Sequence, residues 1–273
     1  MNRRPFLQTL ATGGIVLSAG CVSSISFSNT GPDADDVFAD YRYEGTELVV
    51  RFRDDRDVQR VVLFDGVADE EYETVERPSN PVRFPVVFPD RLETYVSQSL
   101  RVKAETPDGS AQQRIWGLAH AYVSTVEPLP DGRARLEIEN QGDGPLLVRF
   151  VAIHGDVPNP TIDPQSDSFD QSSFELGSGV VGVDENRPLS PSRTDLVVQP
   201  GETKSFETTY APFAFLDETA ADGCTGDEGT GRIAVVHGSG GSAAYDFAYR
   251  LEGSPTKLEG RAAAVCPDLV VEP

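Results

Sequence analysis

The sequence predicts an all-β fold, with two β-sandwiches in tandem behind an N-terminal segment of different composition. Short alternations of apolar and polar residues recur along the chain, and Gly, Pro, Asn and Asp separate them. Between residues 37 and 126 no convincing helical period appears, in which apolar residues would recur every three or four positions. We therefore expect residues 37–126 to form the first sandwich and residues 127–273 the second.

About seven strand signals predict the first sandwich. The clearest strand alternates between a buried and a polar face, and its buried-face residues are Leu48, Val50 and Phe52. Prolines interrupt residues 78–89, so the strand at residues 82–88 is expected at a sheet edge, where a missing N–H is tolerated. Pro107-Asp108-Gly109 marks the turn of a hairpin. This series of short strands is typical of an immunoglobulin-like or fibronectin-type sandwich.

Two further patterns predict the second sandwich. In the first, apolar residues face one side of a strand and charged residues the other; the apolar ones are Ala134, Leu136 and Ile138. A turn at residues 140–144 leads into an apolar strand at residues 145–153. The second pattern is a hairpin of residues 233–236 with residues 244–251. Four residues of its second arm share one face: Tyr245, Phe247, Tyr249 and Leu251.

Two segments of this region, Glu-Asn-Gln-Gly-Asp-Gly-Pro at residues 139–145 and Val-Gln-Pro-Gly-Glu-Thr at residues 198–203, resemble the Ig-like modules of archaeal cell-surface proteins. The resemblance covers about 80 residues and implies a fold, not an activity.

Residues 1–20 have the layout of a secretory signal: a positive start, a modest apolar run and small residues. Arg3, Arg4, Phe6 and Leu7 belong to Arg-Arg-Pro-Phe-Leu-Gln, which resembles the twin-arginine export motif. Leu-Ser-Ala-Gly-Cys resembles a lipobox and implies cleavage before Cys21 and lipidation of that residue. An uncleaved anchor, or cleavage without lipidation, is the alternative. Residues 21–36, rich in Ser and then in Asp, are expected to form a flexible tether.

The composition is strongly acidic, with 44 acidic and 23 basic residues and a formal net charge of −21. Three of the basic residues are Lys and the others are Arg. At molar salt the Debye length falls to ~3 Å, so such charges keep the surface hydrated with little self-repulsion. Together with the export motif, this composition resembles that of a haloarchaeal lipoprotein; an acidic surface protein from a moderate habitat is the alternative. The charge argues against nucleic acid and anionic lipid headgroups as partners.

The chain has three cysteines. If Cys21 carries lipid, Cys224 and Cys266 remain as an even pair in an oxidising compartment, where we expect them to form a disulfide. Two reduced thiols are the alternative.

No catalytic residue, metal site or cofactor is predicted. The three histidines, His120, His154 and His237, belong to different hairpins and lack the close spacing that usually marks a metal site. A blue-copper site usually needs an axial Met, and the one Met of the chain is Met1. Ser239 lies in a glycine-rich hairpin turn that lacks the spacing of a hydrolase nucleophile elbow.

Residues 155–195 are rich in Ser, Pro, Gly and Asp and predict a long loop, either a poorly ordered insertion or a binding loop. Acidic side chains cluster in this loop and around Cys224: Asp163, Asp167, Asp170, Asp222, Asp227 and Glu228. These clusters are expected to be solvated surface; calcium binding is the alternative.

Together these features predict a non-enzymatic protein, anchored through lipid on Cys21 to the extracellular face of the cytoplasmic membrane. It would be a binding or structural module of the envelope, with an envelope protein or a polysaccharide as its partner. The alternative is an accessory subunit that presents a ligand or ion to a membrane transporter or enzyme complex. A concave pocket lined by Tyr245 and Tyr249 would favour ligand binding, and a flat apolar patch would favour a protein partner.

Overall fold

The strands of this chain pair into antiparallel sheets, as their alternation predicts. The computed structural model describes residues 31–89, 93–94, 100–116, 119–161, 163–164, 166, 196–208, 210–216, 224, 228–237, 242–258, 263–266 and 268–272. The predicted export and lipidation residues lie outside this part of the chain: Arg3, Arg4, Phe6, Leu7 and Cys21. So do residues 167–195 of the predicted long loop.

The N-terminal group of strands forms two main sheets. The first contains β1 (Phe38–Glu44), β2 (Glu47–Phe52) and β5 (Val82–Pro85), in the order β1-β2-β5. The second contains β3 (Arg60–Asp65), β4 (Glu71–Glu76), β8 (Leu100–Thr106) and β9 (Gly109–Arg114), in the order β4-β3-β8-β9. A short pair consists of β6 (Val87–Phe88) and β7 (Glu93–Thr94). This arrangement of three strands and four strands around one apolar core is the predicted sandwich.

The C-terminal group is built in the same way around a larger sheet. One sheet contains β10 (Ala121–Pro128), β11 (Ala134–Asn140) and β14 (Thr203–Glu207), in the order β10-β11-β14. The five-stranded sheet contains β12 (Leu146–Gly155), β13 (Val197–Val198), β16 (Glu228–His237), β17 (Ser242–Glu252) and β20 (Asp268–Glu272), in the order β13-β12-β16-β17-β20. A small sheet contains β15 (Ala214–Phe215), β18 (Thr256–Lys257) and β19 (Ala264–Val265), in the order β15-β19-β18.

The predicted alternation is confirmed at the buried positions of β2 and β11: Leu48, Val50, Phe52, Ala134, Leu136 and Ile138 are all buried. Val49, which the alternation places on the polar face, is fully buried as well. It lies opposite Arg42 of β1 and Arg83 of β5, and both guanidinium groups bond Glu44. The aliphatic stems of arginines can cover an apolar neighbour while their charged heads stay in water.

The last described strand of the N-terminal sheets ends at Arg114, and the first strand of the C-terminal sheets begins at Ala121. Within the described residues, each sheet draws its strands from one side of residues 115–120. The boundary expected between residues 126 and 127 falls inside β10, which pairs with β11. Buried apolar residues of both groups belong to one cluster, and residues 31–273 form one compact unit.

The folded part begins earlier than the expected end of the tether. Residues Ala34–Val37 form one helical turn, α1, and Val37 is fully buried. The backbone of this turn is held by arginines, since Arg56 Nε donates to the carbonyl of Asp36 over 2.9 Å. Burial of Val37 and these hydrogen bonds order residues whose composition predicted a flexible segment. No helix within the described residues is long and apolar enough to cross a membrane.

The structure contains the predicted disulfide between Cys224 and Cys266. Both cysteines are buried and belong to the main apolar cluster. The bond ties the segment before β16 to the end of β19.

Candidate functional site

The candidate site is a row of polar side chains across three neighbouring strands of the five-stranded sheet. His154 of β12 lies directly opposite Arg232 of β16, and Arg232 lies directly opposite Asp246 of β17. Residues directly opposite one another on paired strands point to the same face of a sheet. The strand order β12-β16-β17 therefore brings together three side chains that are far apart in the sequence.

The two faces of this sheet differ in character. Ile153, Ile233 and Phe247 point to the main apolar core. The opposite face carries a separate small cluster of buried residues: Phe150, Ala152, Ala234 and Val236. Because Ala152 and Ala234 lie two positions before His154 and two positions after Arg232, they share the face of the polar row. The polar row thus continues an apolar platform on the face that points away from the main core.

An open cleft of about 760 Å³ lies over the polar row. Its lining includes His154, Asp163, Thr230, Arg232, Asp246 and Ala248. The volume falls in the range of ~300–1,000 Å³ that is usual for small-molecule sites.

Arg232 and Asp246 form a bidentate ion pair in this cleft. Arg232 Nε donates to Asp246 Oδ1 over 2.7 Å, and Nη2 donates to Oδ2 over 3.3 Å. The bonds to Arg232 lower the pKa of the Asp246 carboxyl, with a smaller effect from the charge of His154. The carboxylates of Asp246 and, more weakly, Asp163 raise the pKa of Arg232. The pair is exposed, so it orients both side chains more than it stabilises the fold.

His154 is the buried member of the row, at 7% exposure. Its Nε2 atom has no hydrogen-bond partner among the described residues. Asp163 Oδ1 is 3.8 Å from this nitrogen, which is beyond hydrogen-bond distance. A buried polar atom without a partner costs about 1–3 kcal/mol. A molecule in the cleft, or a water, would remove that cost by bonding Nε2.

The end of β12 is held in place by hydrogen bonds to its backbone. The hydroxyl of Tyr210 accepts from the N–H of Ile153 over 3.2 Å, and Thr161 donates its N–H to the carbonyl of Ile153 over 2.8 Å. Tyr249 donates its hydroxyl to the carbonyl of Asp156 over 2.5 Å. These bonds flank His154 on both sides along the chain, so its ring is presented to the cleft from an anchored strand.

The side chains of the site are hydrogen-bond donors and acceptors. No group of three or more His, Cys, Asp or Glu side chains among the described residues is arranged to hold a metal ion. Thr230 lines the same cleft, and its exposed side chain provides a hydroxyl. The site can therefore recognise a polar molecule through hydrogen bonds.

The three histidines were expected to lie in different hairpins, and His120 and His237 influence each other electrostatically. Burial lowers the pKa of His237, and the charge of His120 lowers it further. His154 lies in the cleft. Sequence spacing did not reveal either arrangement, because both depend on how distant strands pair.

Two other groups of residues considered from the sequence lie elsewhere. Tyr249 packs in the core against Phe213, with ring centroids 6.0 Å apart, and Tyr245 packs edge-on against Tyr122. Neither Tyr245 nor Tyr249 lines the cleft. Of the acidic clusters, four members lie outside the described residues: Asp167, Asp170, Asp222 and Asp227. Asp163 lies in the cleft, and Glu228 begins β16.

Comparison with known proteins adds distant structural likenesses. No family model matches the chain, and no curated protein matches it. It is similar to a glycosyl hydrolase family 2 member from Bacteroides cellulosilyticus DSM 14838, with 14% identity, a TM-score of 0.19 and coverage of 75% of this chain and 24% of that one. It is similar to a β-glycosidase from Bacteroides vulgatus, with 11% identity, a TM-score of 0.20 and coverage of 78% and 24%. A protein of unknown function from Porphyromonas gingivalis W83 has 11% identity, a TM-score of 0.23 and coverage of 80% and 96%.

This chain therefore spans about a quarter of the length of the two glycosidases. Likenesses with such low TM-scores and identities assign it no activity.

Proposed function

We propose that this chain is a non-enzymatic, lipid-anchored binding protein on the extracellular face of the cytoplasmic membrane of a halophile. The observation that carries the binding role is His154, a buried side chain that lines an open cleft and whose Nε2 atom has no hydrogen-bond partner among the described residues. Such an atom is stabilised when a second molecule supplies the missing hydrogen bond.

The N-terminal sequence supports the anchored location. Arg3, Arg4, Phe6 and Leu7 resemble a twin-arginine signal, and Cys21 ends a lipobox-like segment. The disulfide between Cys224 and Cys266 is consistent with an oxidising compartment, because disulfides are rare in the cytosol. The net charge of −21 makes nucleic acid an unfavourable partner, and we propose an envelope protein or a polysaccharide as the partner.

The export route is tested by replacing both Arg3 and Arg4 with Lys in the full chain. The positive charge is kept, so a receptor that reads arginine should reject the variant and the uncleaved precursor should accumulate in the cytoplasm. The matched control is Gln8→Lys, which restores the usual last residue of the motif and should export normally. Normal export of the Lys variant would contradict the twin-arginine route.

The anchor is tested by Cys21→Ser, followed by separation of membranes from soluble material. We expect the wild type in the membrane fraction and the variant in the soluble fraction or the medium, because the lipid-bearing side chain is gone. Ser23→Ala, two residues further on, should stay in the membrane fraction. A Cys21→Ser variant that remains bound to membranes would show that another element holds the protein there.

A further inference from the structure

We propose that the cleft over His154, Arg232 and Asp246 binds vicinal hydroxyl groups of a neutral sugar. The proposal rests on the binding role proposed above and adds the ligand class. It is carried by the buried Nε2 atom of His154 and by the order of donors and acceptors around it.

Donors and acceptors alternate within this site. Arg232 offers guanidinium hydrogens, and the carboxylates of Asp246 and Asp163 in the same cleft are acceptors. A donor and an acceptor lie side by side in the row, since Arg232 Nε is 2.7 Å from Asp246 Oδ1. A hydroxyl group donates and accepts at the same time, and two hydroxyls on adjacent carbons match a donor beside an acceptor.

His154 fits the same ligand in either of its neutral forms. Nε2 donates when it carries the hydrogen and accepts when Nδ1 carries it. A hydroxyl group can pair with either form, because it both donates and accepts. An ammonium group only donates and pairs with the accepting form of Nε2, whereas a carboxylate only accepts and pairs with the donating form. The His154 side chain lines the cleft, and its buried Nε2 atom has no hydrogen-bond partner among the described residues, so a ligand hydroxyl that reaches this atom supplies its missing hydrogen bond.

Charge argues against the other ligand classes. An anionic group would meet the carboxylates of Asp156, Asp163 and Asp246 against one guanidinium. A cationic group would compete with Arg232, which already lies in the field of both Asp163 and Asp246. A metal ion lacks a group of three ligating side chains among the described residues. A neutral polar ligand meets none of these difficulties.

Beside the polar row, the lining of the cleft suits a ring lying flat. Thr230 lies directly opposite Ala248, and both residues line the cleft. Thr230 and Ala248 are exposed, and their side chains are short. Short side chains leave the face of the sheet open next to the polar row.

The proposal is tested with the full-length chain in detergent at molar KCl. The probes are glucose, galactose and mannose with their β-linked disaccharides, and glucuronic acid and glucosamine serve as charged analogues. Binding is followed by saturation-transfer NMR and calorimetry. We expect at least one neutral sugar to bind, with glucuronic acid and glucosamine binding more weakly than the glucose of the same shape.

Variants assign the binding to the cleft. His154→Ala and the exposed Asp246→Asn should each lower the affinity at least about tenfold, the effect of losing one or two hydrogen bonds to the ligand. The matched controls are His120→Ala and Glu207→Gln, an exposed histidine and an arginine-paired carboxylate outside the cleft, and both should bind as the wild type. Asp246→Asn keeps the test valid if His154→Ala fails to fold, because Asp246 is exposed.

Three results would overturn the proposal: binding by none of the neutral sugars, tighter binding of a charged analogue, or equal binding by wild type and Asp246→Asn. None of these results would bear on the proposed membrane anchoring, because the fractionation of Cys21→Ser tests that separately.

Discussion

Asn140, at the end of β11, shows how much of this fold depends on single buried polar side chains. It is fully buried, and its Nδ2 donates to the carbonyls of Gly144 and Val198 over 2.8 and 2.9 Å. Its Oδ1 accepts from the N–H of Gly142 over 3.0 Å. One amide therefore closes the turn after β11 and fastens it to β13. The sequence predicted a turn here and did not reveal that it is anchored from inside.

We expect Asn140→Asp to lower the free energy of unfolding by on the order of 3 kcal/mol, because a buried carboxylate would face two carbonyl oxygens that lose their donor. Urea unfolding followed by circular dichroism measures the change. Gln141→Glu makes the same chemical change at the exposed neighbouring residue and should stay within about 0.5 kcal/mol of the wild type. Equal effects of the two variants would contradict the anchoring role of Asn140.

Two partly buried tyrosines make the fold sensitive to high pH. Burial raises the pKa of Tyr210 and of Tyr43 above the ordinary value, and at Tyr43 the charges of Tyr41 and Asp143 add to it. A tyrosine in the unfolded chain ionises near pH ~10. Because the folded pKa is the higher one, the stability from these groups is complete below pH ~10 and is lost as the pH rises above it.

The free energy of unfolding should therefore be level between pH 7 and 9 and then fall by about 1.4 kcal/mol per pH unit for each of these tyrosines. In Tyr210→Phe the free energy of unfolding should fall less steeply with pH, by about 1.4 kcal/mol per pH unit, because one of the two tyrosines is gone. Tyr122→Phe, at an exposed tyrosine, is the matched control and should leave the slope as in the wild type. An unchanged slope in Tyr210→Phe would show that Tyr210 does not contribute.

At the scale of elements, the β16–β17 hairpin joins the core to the candidate site. Gly229 and Gly231 of β16 lie opposite Tyr249 and Phe247 of β17, and a Cβ atom on either glycine would overlap the facing ring. The rings therefore lie against bare backbone and pack with Phe213. The intervening positions of the same strands carry the polar row, so one hairpin supplies the core on one face and the cleft on the other.

The disulfide is a second feature that connects elements far apart in the sequence. It joins Cys224 to Cys266 across 42 residues, a span that includes β16 and β17. Replacing both cysteines by Ala should lower the free energy of unfolding by about 4 kcal/mol in the chain-entropy description of such a loop. Cys21→Ser removes the remaining cysteine and should leave this value unchanged. A double variant within about 1 kcal/mol of the wild type would contradict a stabilising role for the bond.

At the scale of the whole molecule, the acidic surface charge determines how stability depends on salt. Arginines are engaged with acids in small surface networks, such as Arg135 with Glu127 and Glu207. Bonds to Arg135 lower the pKa of the Glu207 carboxyl. Such exposed pairs contribute little, about 0–1 kcal/mol each, and salt weakens them. The excess of 44 acidic over 23 basic residues has the larger effect on stability, because these like charges repel one another. Salt screens that repulsion.

We therefore expect the free energy of unfolding at pH 7 to rise as KCl increases from 0.1 to 1 M, over which the Debye length falls from ~10 to ~3 Å. Thermal unfolding followed by circular dichroism measures it. The control is the same titration near the pI of about 4.4, where the net charge and hence the salt effect should be small. A midpoint at pH 7 that falls with salt would contradict adaptation to a saline environment.

Sequence reasoning predicted the parts of this fold that depend on near neighbours. The alternation of Leu136 with Ile138 and the turn before Gly109 were both readable, because side-chain direction and backbone preference are local properties. The pairing of Cys224 with Cys266 was predicted from the cysteine count. The sequence did not predict the burial of Val49 or the ordering of residues 34–37, because both result from contacts with distant arginines and strands.

By itself, then, the sequence determined the all-β class, the approximate strands and the acidic character of the surface. Only the tertiary structure decided that His154, Arg232 and Asp246 form one row. These residues lie on three strands, and a shift of one residue in the register of a strand would turn its side chain to the opposite face of the sheet. Register in this sheet is determined by the packing of its core face, which the local sequence pattern does not contain.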